Sequence, residues 1–350
     1  MNIVHRLAGR TVRRGLRRLG RADRRGDRLL PSWAACCPSS PAALALRWIH
    51  DHELPTGGIR VHTRHARAYP EVTGYLVPTL LRCGDAALAI RLVCWLLGGQ
   101  RQDGAYESPD GDGAYAFDTG QALRGLLAGI HVVPDARQAA ARAADYLRRQ
   151  MIDGGREGFA PCYSGKVPES IHLYVLPALL EAADVLVWDD LRLAARRCAD
   201  FYCGQPGALR LTTLTHFLGY ELEALIDLGR PDRAEPVLEA LRVRQRSDGA
   251  VRAAEGERWV CSPGLAQLAV CWYKLGRREP ADRALAWLER RQSRRGGFRG
   301  SYGRGADYFP NVELSWAAKF YLDAHLLRAE SARGQHEASA IRRLTGVKAC

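Results

Sequence analysis

The chain has 350 residues, 47% of them hydrophobic, and a formal net charge of +13. The apolar fraction suits a soluble globular protein with an ample core, and the length fits one large domain or two ordinary ones. No apolar run is long enough for a transmembrane helix or for the core of a signal peptide. The ten cysteines are irregularly spaced with no Cys-x-x-Cys pair, which excludes a disulfide scaffold and points to a reducing, cytoplasmic compartment.

The positive charge is concentrated at the start. Residues 1–30 hold ten arginines against two aspartates. Val4, Leu7, Val12, Leu16 and Leu19 fall between those arginines at roughly helical spacing. The segment reads either as a basic amphipathic helix suited to an anionic membrane surface, at the inner membrane face, or as a solvated arm. A presequence of mitochondrial type has similar composition, but no other feature supports it. The arm lacks interleaved aromatics and the body has no recognisable nucleic-acid module, so nucleic acid is not an expected partner.

Residues 31–41 read as a connector, and residues 42–327 as one continuous body. In the body a degenerate unit of 40–55 residues recurs six times, beginning at Trp48, Trp95, Tyr146, Phe201, Leu241 and Trp287. Each copy ends a helical stretch with an aromatic or leucine, takes a polar step that is often Gln, and enters a glycine turn. A period in this range signals a repeat architecture. Between turns each unit splits into two helices, most clearly at 117–131 and 137–149. The first is apolar nearly all round (Ala122, Leu123, Leu126, Leu127, Ile130) and is predicted to be buried. The second alternates small apolar residues with Arg and Asp and is predicted to face solvent. Pro134 and Asp135 break the pair, supplying a stop and a new cap. Strand signals are weak throughout, and residues 328–350 read as a polar, weakly ordered tail.

Repetition of this unit predicts an inner ring of buried helices within an outer amphipathic ring. The glycine turns lead from an outer helix to the next inner one, so they share one rim with the inner-helix N-termini. Those N-termini carry unpaired N–H groups and favour anionic ligands.

The stretch from Trp95 to Tyr106, Trp-Leu-Leu-Gly-Gly-Gln-Arg-Gln-Asp-Gly-Ala-Tyr, resembles the Gln-Trp type repeat of terpenoid cyclases and protein prenyltransferases. The segments Tyr69–Tyr75, Phe117–Gln121, and Pro310-Asn311 with Trp316–Phe320 resemble uncharacterised bacterial toroids associated with surface-polysaccharide genes. The resemblance spans residues 42 to 327. It implies an all-α fold, an (α/α)6 toroid of helical hairpins shared with six-hairpin glycosidases, polysaccharide lyases and glucuronyl C5-epimerases. It says little about the reaction, because one fold hosts many chemistries.

Each predicted inner-helix start carries polar residues. Glu71, Asp118, His172 and His216 are the candidate catalytic groups. Tyr69, Tyr75, Tyr115, Gln121, Arg258, Asn311, Trp316 and Lys319 are the candidate substrate contacts. Aromatic faces stack on sugar rings and cations pair with uronates, so this mixture suits an acidic oligosaccharide or lipid-linked glycan. Proton abstraction at a uronate C5 (epimerase or lyase) is one version of the chemistry. Glycoside hydrolysis by a carboxyl pair drawn from Glu71, Asp112, Asp118 and Glu169 is the other.

Plainer roles compete with these. Asp118 could cap a helix, the Thr73-Gly74 and Thr119-Gly120 steps could serve close packing, and a buried His172 or His216 could be structural. Lys319 lies among apolar neighbours and needs a partner such as Glu71 or Glu313. No cofactor or metal is expected: Asp110–Gly113 lacks the later ligands of a calcium loop, and His50, Asp51, His52, His62 and His65 have no diagnostic spacing. Two other functions remain open. A class II terpene cyclase would need aspartates flanking Asp118 that are missing here. A non-catalytic glycan-binding or scaffold toroid would need no catalytic pair.

Overall fold

A computed structural model of the chain describes residues 31, 34, 36–111, 113–162, 167–205 and 208–345, with side chains described only up to residue 333. The basic arm, Asp112, Tyr163 and Lys166 lie outside the described residues. Among those described are twelve α-helices, two short 3-10 segments and two strands of two residues each. Six hairpins alternate around a ring. The outer helices are α1 (Pro41–Asp51), α3 (Ala86–Gly99), α5 (Ala136–Gln150), α7 (Asp189–Gly204), α9 (Pro231–Val243) and α11 (Arg278–Glu289). The inner helices are α2 (Pro70–Arg82), α4 (Ala116–Gly129), α6 (Leu176–Leu186), α8 (Thr215–Asp227), α10 (Ser262–Lys274) and α12 (Ser315–Thr345). A 3-10 turn, Glu169–Val175, precedes α6. The chain is thus the predicted (α/α)6 toroid.

Burial separates the two rings as the sequence pattern requires. In α10 every residue from Ser262 to Tyr273 is buried, whereas α9 buries only Ala234, Leu238 and Leu241. A helix apolar on all sides has to be enclosed, and one with a single apolar stripe covers it. The ring closes where α12 packs on α1 and α2. Helix α12 runs on beyond residue 328 to Thr345.

The repeated Gln-to-Gly turn has a structural cause. Gln245 Nε2 donates to Gly249 O at 3.0 Å within its own turn and to Pro280 O of the next outer helix at 2.9 Å. Gln100 bridges Gly104 O and Ala139 O in the same way, and Gln292 bridges Gly296 O and Pro41 O. One side chain therefore satisfies two carbonyls and fixes each turn to its neighbour. Gly249 and Gly296 turn with φ of +92° and +95°, and an added Cβ would lie 2.1 Å from Arg283 O or 2.0 Å from Leu44 O. Only glycine meets both conditions.

Polar residues at inner-helix starts tie down the same loops. Thr73 Oγ1 accepts from Ile59 N at 3.0 Å, Thr119 Oγ1 accepts from Tyr106 N at 3.2 Å, and Ser315 Oγ donates to Arg60 O at 2.6 Å. The strands Val260–Cys261 and Ser301–Tyr302 pair antiparallel beside them, with Val260 opposite Tyr302. The rim is held rigidly over the barrel mouth.

Candidate active site

Gly74 and Gly125 let the first two inner helices touch. A Cβ on Gly74 would lie 2.3 Å from Gln121 O, and one on Gly125 would lie 2.4 Å from Gly74 O. This approach brings the first turns of α2 and α4 side by side, with Glu71 and Asp118 both buried there. Asp118 is not the cap of α4; that position belongs to Tyr115, and Asp118 lies in the first turn. Burial and then the Asp118 charge push the Glu71 carboxyl well above its ordinary range, against the opposing pull of hydrogen bonds from Trp316 and Tyr220. Burial and the neighbouring Asp118 carboxyl thus both favour the protonated form of Glu71.

The proton on Glu71 sits at the end of a hydrogen-bonded chain. Trp316 Nε1 donates to Glu71 at 3.1 and 3.2 Å to the two oxygens. The Tyr220 hydroxyl lies 3.4 Å from Glu71 Oε1 and 3.3 Å from His216 Nε2. His216 Nδ1 lies 2.6 Å from Gln267 Oε1, so Nδ1 carries the hydrogen. Burial, opposed by Gln267, lowers His216 to about 4, leaving it neutral at physiological pH. Gly219 makes room for Gln267: its missing Cβ would be 2.8 Å from the Gln267 Cβ.

Above Glu71 the mouth is aromatic. Trp316, Tyr308 and Phe309 are half-buried, with ring centroids 6.4 Å apart for Tyr308–Trp316 and 5.9 Å for Phe309–Trp316. Phe309 holds a left-handed φ of +49°, a costly conformation for a bulky residue, and its carbonyl accepts from Gly300 N. His62 and His65 stand beside this collar, 5.7 Å from Phe309 and 6.2 Å from Tyr69 respectively. Burial, then the Asp118 carboxyl, raises the Tyr69 hydroxyl pKa.

Below Glu71 the lumen is aromatic. Tyr75, Tyr174, Tyr220 and Phe320 pack together, and the Lys319 ammonium lies 3.8 Å from the Phe320 centroid and 4.9 Å from that of Tyr75. Lys319 donates to the Tyr174 hydroxyl at 3.2 Å and pairs with Asp323 at 2.9 Å. Neither Glu71 nor Glu313 is its ion-pair partner: Glu313 instead accepts from Trp48 Nε1 at 2.6 Å. At the far end, Lys274 bonds Glu223 at 2.9 Å and Asp227 at 2.7 Å. Burial alone would raise Glu223, but Lys274 and Lys319 draw it down to about 2.

Of the predicted residues, Glu71, Asp118, His216, Tyr69 and Trp316 gather at this mouth, with Tyr115 half-buried at its edge. Tyr75 and Lys319 lie beneath it. Gln121 is turned towards Arg124, whose Nε is 3.3 Å from its Oε1. Arg258 and Asn311 are exposed on loops. His172 belongs to a different centre, where its Nε2 lies 3.8 Å from Cys162 Sγ and its Nδ1 lies 2.8 Å from Glu169 O. Burial lowers it to about 4. Of the histidines considered for metal, His50 bonds Asp85 at 2.6 Å, His52 stacks on Trp48, His62 and His65 meet edge to face with centroids 5.4 Å apart, and His65 approaches Asp110. Tyr220, Gln267, Tyr308 and Phe309 complete the mouth. The first two have a sequence signal, since polar residues on otherwise apolar inner helices have to be satisfied.

The closed double ring of helices is an (α/α)6 toroid. The solved structures it resembles agree. An unsaturated glucuronyl hydrolase from Bacillus sp. GL1, responsible for glycosaminoglycan degradation, superposes with a TM-score of 0.65 at 17% identity, covering 85% of this chain and 97% of that one. An unsaturated glucuronyl hydrolase specific for heparin gives 0.63 at 13% identity, covering 84% and 97%. An α-amylase from Clostridium perfringens gives 0.64 at 14% identity, covering 83% and 98%. No protein-family model matches the chain, and no characterised protein matches it by sequence. Identities this low establish the fold alone.

Proposed function

We propose that this protein is a glycoside hydrolase acting on a uronate-containing oligosaccharide, such as a fragment or precursor of a bacterial surface polysaccharide. The carrying observation is the buried Glu71–Asp118 pair beneath the aromatic collar. In the proposed reaction Glu71, in its protonated form, gives its proton to the oxygen leaving the scissile bond. Asp118, ionised beside it, takes a proton from the attacking water. Trp316 and Tyr220 hold the Glu71 carboxyl in place, and the collar receives the apolar face of the sugar ring. The solved glucuronyl hydrolases of the same fold support a uronate-containing substrate. A carbocation mechanism of the terpene-cyclase kind fits poorly, because the aromatic box below Glu71 already holds the Lys319 ammonium.

The test is hydrolysis of saturated and unsaturated uronyl oligosaccharides by the purified chain, followed by release of reducing ends. Wild type is expected to turn over at least one of them. Glu71→Gln and Asp118→Asn are each expected to lose about 10²–10⁴-fold in turnover while still binding the sugar. Deuterium incorporation at C5 without bond cleavage would replace hydrolysis by epimerisation. Binding by wild type with no turnover on any substrate would leave a glycan-binding toroid.

A further inference from the structure

A second cluster of ligating side chains lies outside the proposed active site. After α5 the chain makes a 3-10 turn, Ile152–Gly155, pairs Met151 with Phe159, and passes through Pro161 and Cys162. It then re-enters the inner ring through the 3-10 turn that carries Glu169 and His172. Ligand atoms of Cys162, Glu169 and His172 all lie within 4.8 Å of one another. We propose that these three residues form a binding site for a divalent cation of the zinc type.

The imidazole is oriented as a metal ligand has to be. His172 Nδ1 is 2.8 Å from Glu169 O, so the hydrogen resides on Nδ1 and the Nε2 lone pair faces Cys162 Sγ. A backbone carbonyl on the far nitrogen is the arrangement that fixes tautomer and ring angle in histidine metal sites. Phe159 and Tyr202 wall the ring, with centroids at 5.1 and 6.1 Å, and prevent it from turning away. Cys162 N donates to Glu169 Oε1 at 3.0 Å, and Glu169 Oε2 lies 3.4 Å from His172 Nδ1.

The donor set selects the ion. One thiolate, one imidazole and one carboxylate match zinc, whereas calcium and magnesium demand oxygen alone. Cys162 is exposed, which gives the ion a path in and lets the thiol proton pass to solvent as the metal–sulfur bond forms. A groove of about 400 Å³ lined by Glu157, Phe159, Pro161, Pro168, Phe201 and Tyr202 reaches Glu169.

The experiment uses the full chain, stripped with a chelator and kept reduced. Zinc is titrated in competition with a chromogenic chelator, and cobalt is added in parallel to read the thiolate-to-cobalt charge-transfer band. The expected result is one equivalent of zinc per chain, a cobalt–thiolate band, and a rise in melting temperature on adding zinc. Loss of a ligand's outer partner alone typically costs about 10–100-fold in affinity. Cys162→Ser should therefore weaken zinc at least about 100-fold and abolish the band, while its unliganded melting temperature stays unchanged because the residue is exposed. Glu169→Gln should weaken binding less. A Cys36→Ser, Cys37→Ser double variant controls for the other exposed thiols and should bind as wild type does. Absence of stoichiometric binding by wild type, or equal binding by Cys162→Ser, would overturn the proposal.

Discussion

Two influences act in opposite directions on the proton of Glu71. Burial and the Asp118 charge hold it on, and the hydrogen bonds from Trp316 and Tyr220 favour its release. Removing the Tyr220 hydroxyl removes one of the latter, so Tyr220→Phe should shift the basic limb of the pH–rate profile upward, by up to about one unit. A downward shift would mean that Glu71 is not the acid. The same proton links the site to stability. Between the ordinary value of 4.5 and its raised value, Glu71 stays protonated when folded but ionises when unfolded. Its contribution is complete below that ordinary value and is lost as the pH rises through the raised one. Glu71→Gln is therefore expected to match wild type near pH 4 and to exceed its urea midpoint at pH 8. Equal midpoints at both pH values would show that the site carries no such cost.

At the scale of the elements, the joints matter most. Helix α6 ends on Val187, which is 83% exposed and held at φ +55°, ψ +59°. A β-branched side chain in the left-handed region is strained, so Val187→Gly should stabilise the fold by about 1 kcal/mol, measured by denaturant unfolding. Gln245→Ala should do the opposite. It strips two buried carbonyls of their donor and is expected to cost about 2–3 kcal/mol. These joints explain what was legible in the sequence. Gln and Gly recur because a turn at positive φ against a neighbouring carbonyl tolerates little else, so the repeat marked the hairpins and the rim. Glu71 and Asp118 were legible because carboxyl groups at the start of apolar helices stand out. The Cys162, Glu169 and His172 grouping was not, because an irregular loop and a 3-10 turn set its spacing and neither has a helical period. Lys319 showed only that it needed a partner. Asp323 lies one turn further along the same helix, while Glu71 and Glu313 were equally plausible by position.

As a whole, the molecule depends on a single seam. Gln292, Gly296 and Glu313 from the last repeat grip Pro41, Leu44 and Trp48 from the first. Gly296→Ala forces a methyl group against the Leu44 carbonyl at the seam and should cost at least about 2 kcal/mol. Gly98→Ala, with nothing within 4 Å of the added carbon, should be neutral or stabilising. The two urea curves side by side check this, and equal destabilisation would mean that the seam is not the sensitive joint.

The seam also has a consequence for synthesis. Five of the six junctions join neighbours in sequence and can form soon after their residues leave the ribosome. The sixth joins Gln292 to Pro41 across a separation of 251 residues. Until then the apolar face of α1, with Ala42, Leu46, Trp48 and Ile49, has no cover from the last repeat. Closure of so long a loop is slow, and an uncovered helix face invites aggregation while it waits. The nascent chain is in effect an open arc until its last repeat has emerged, and the circle forms only then.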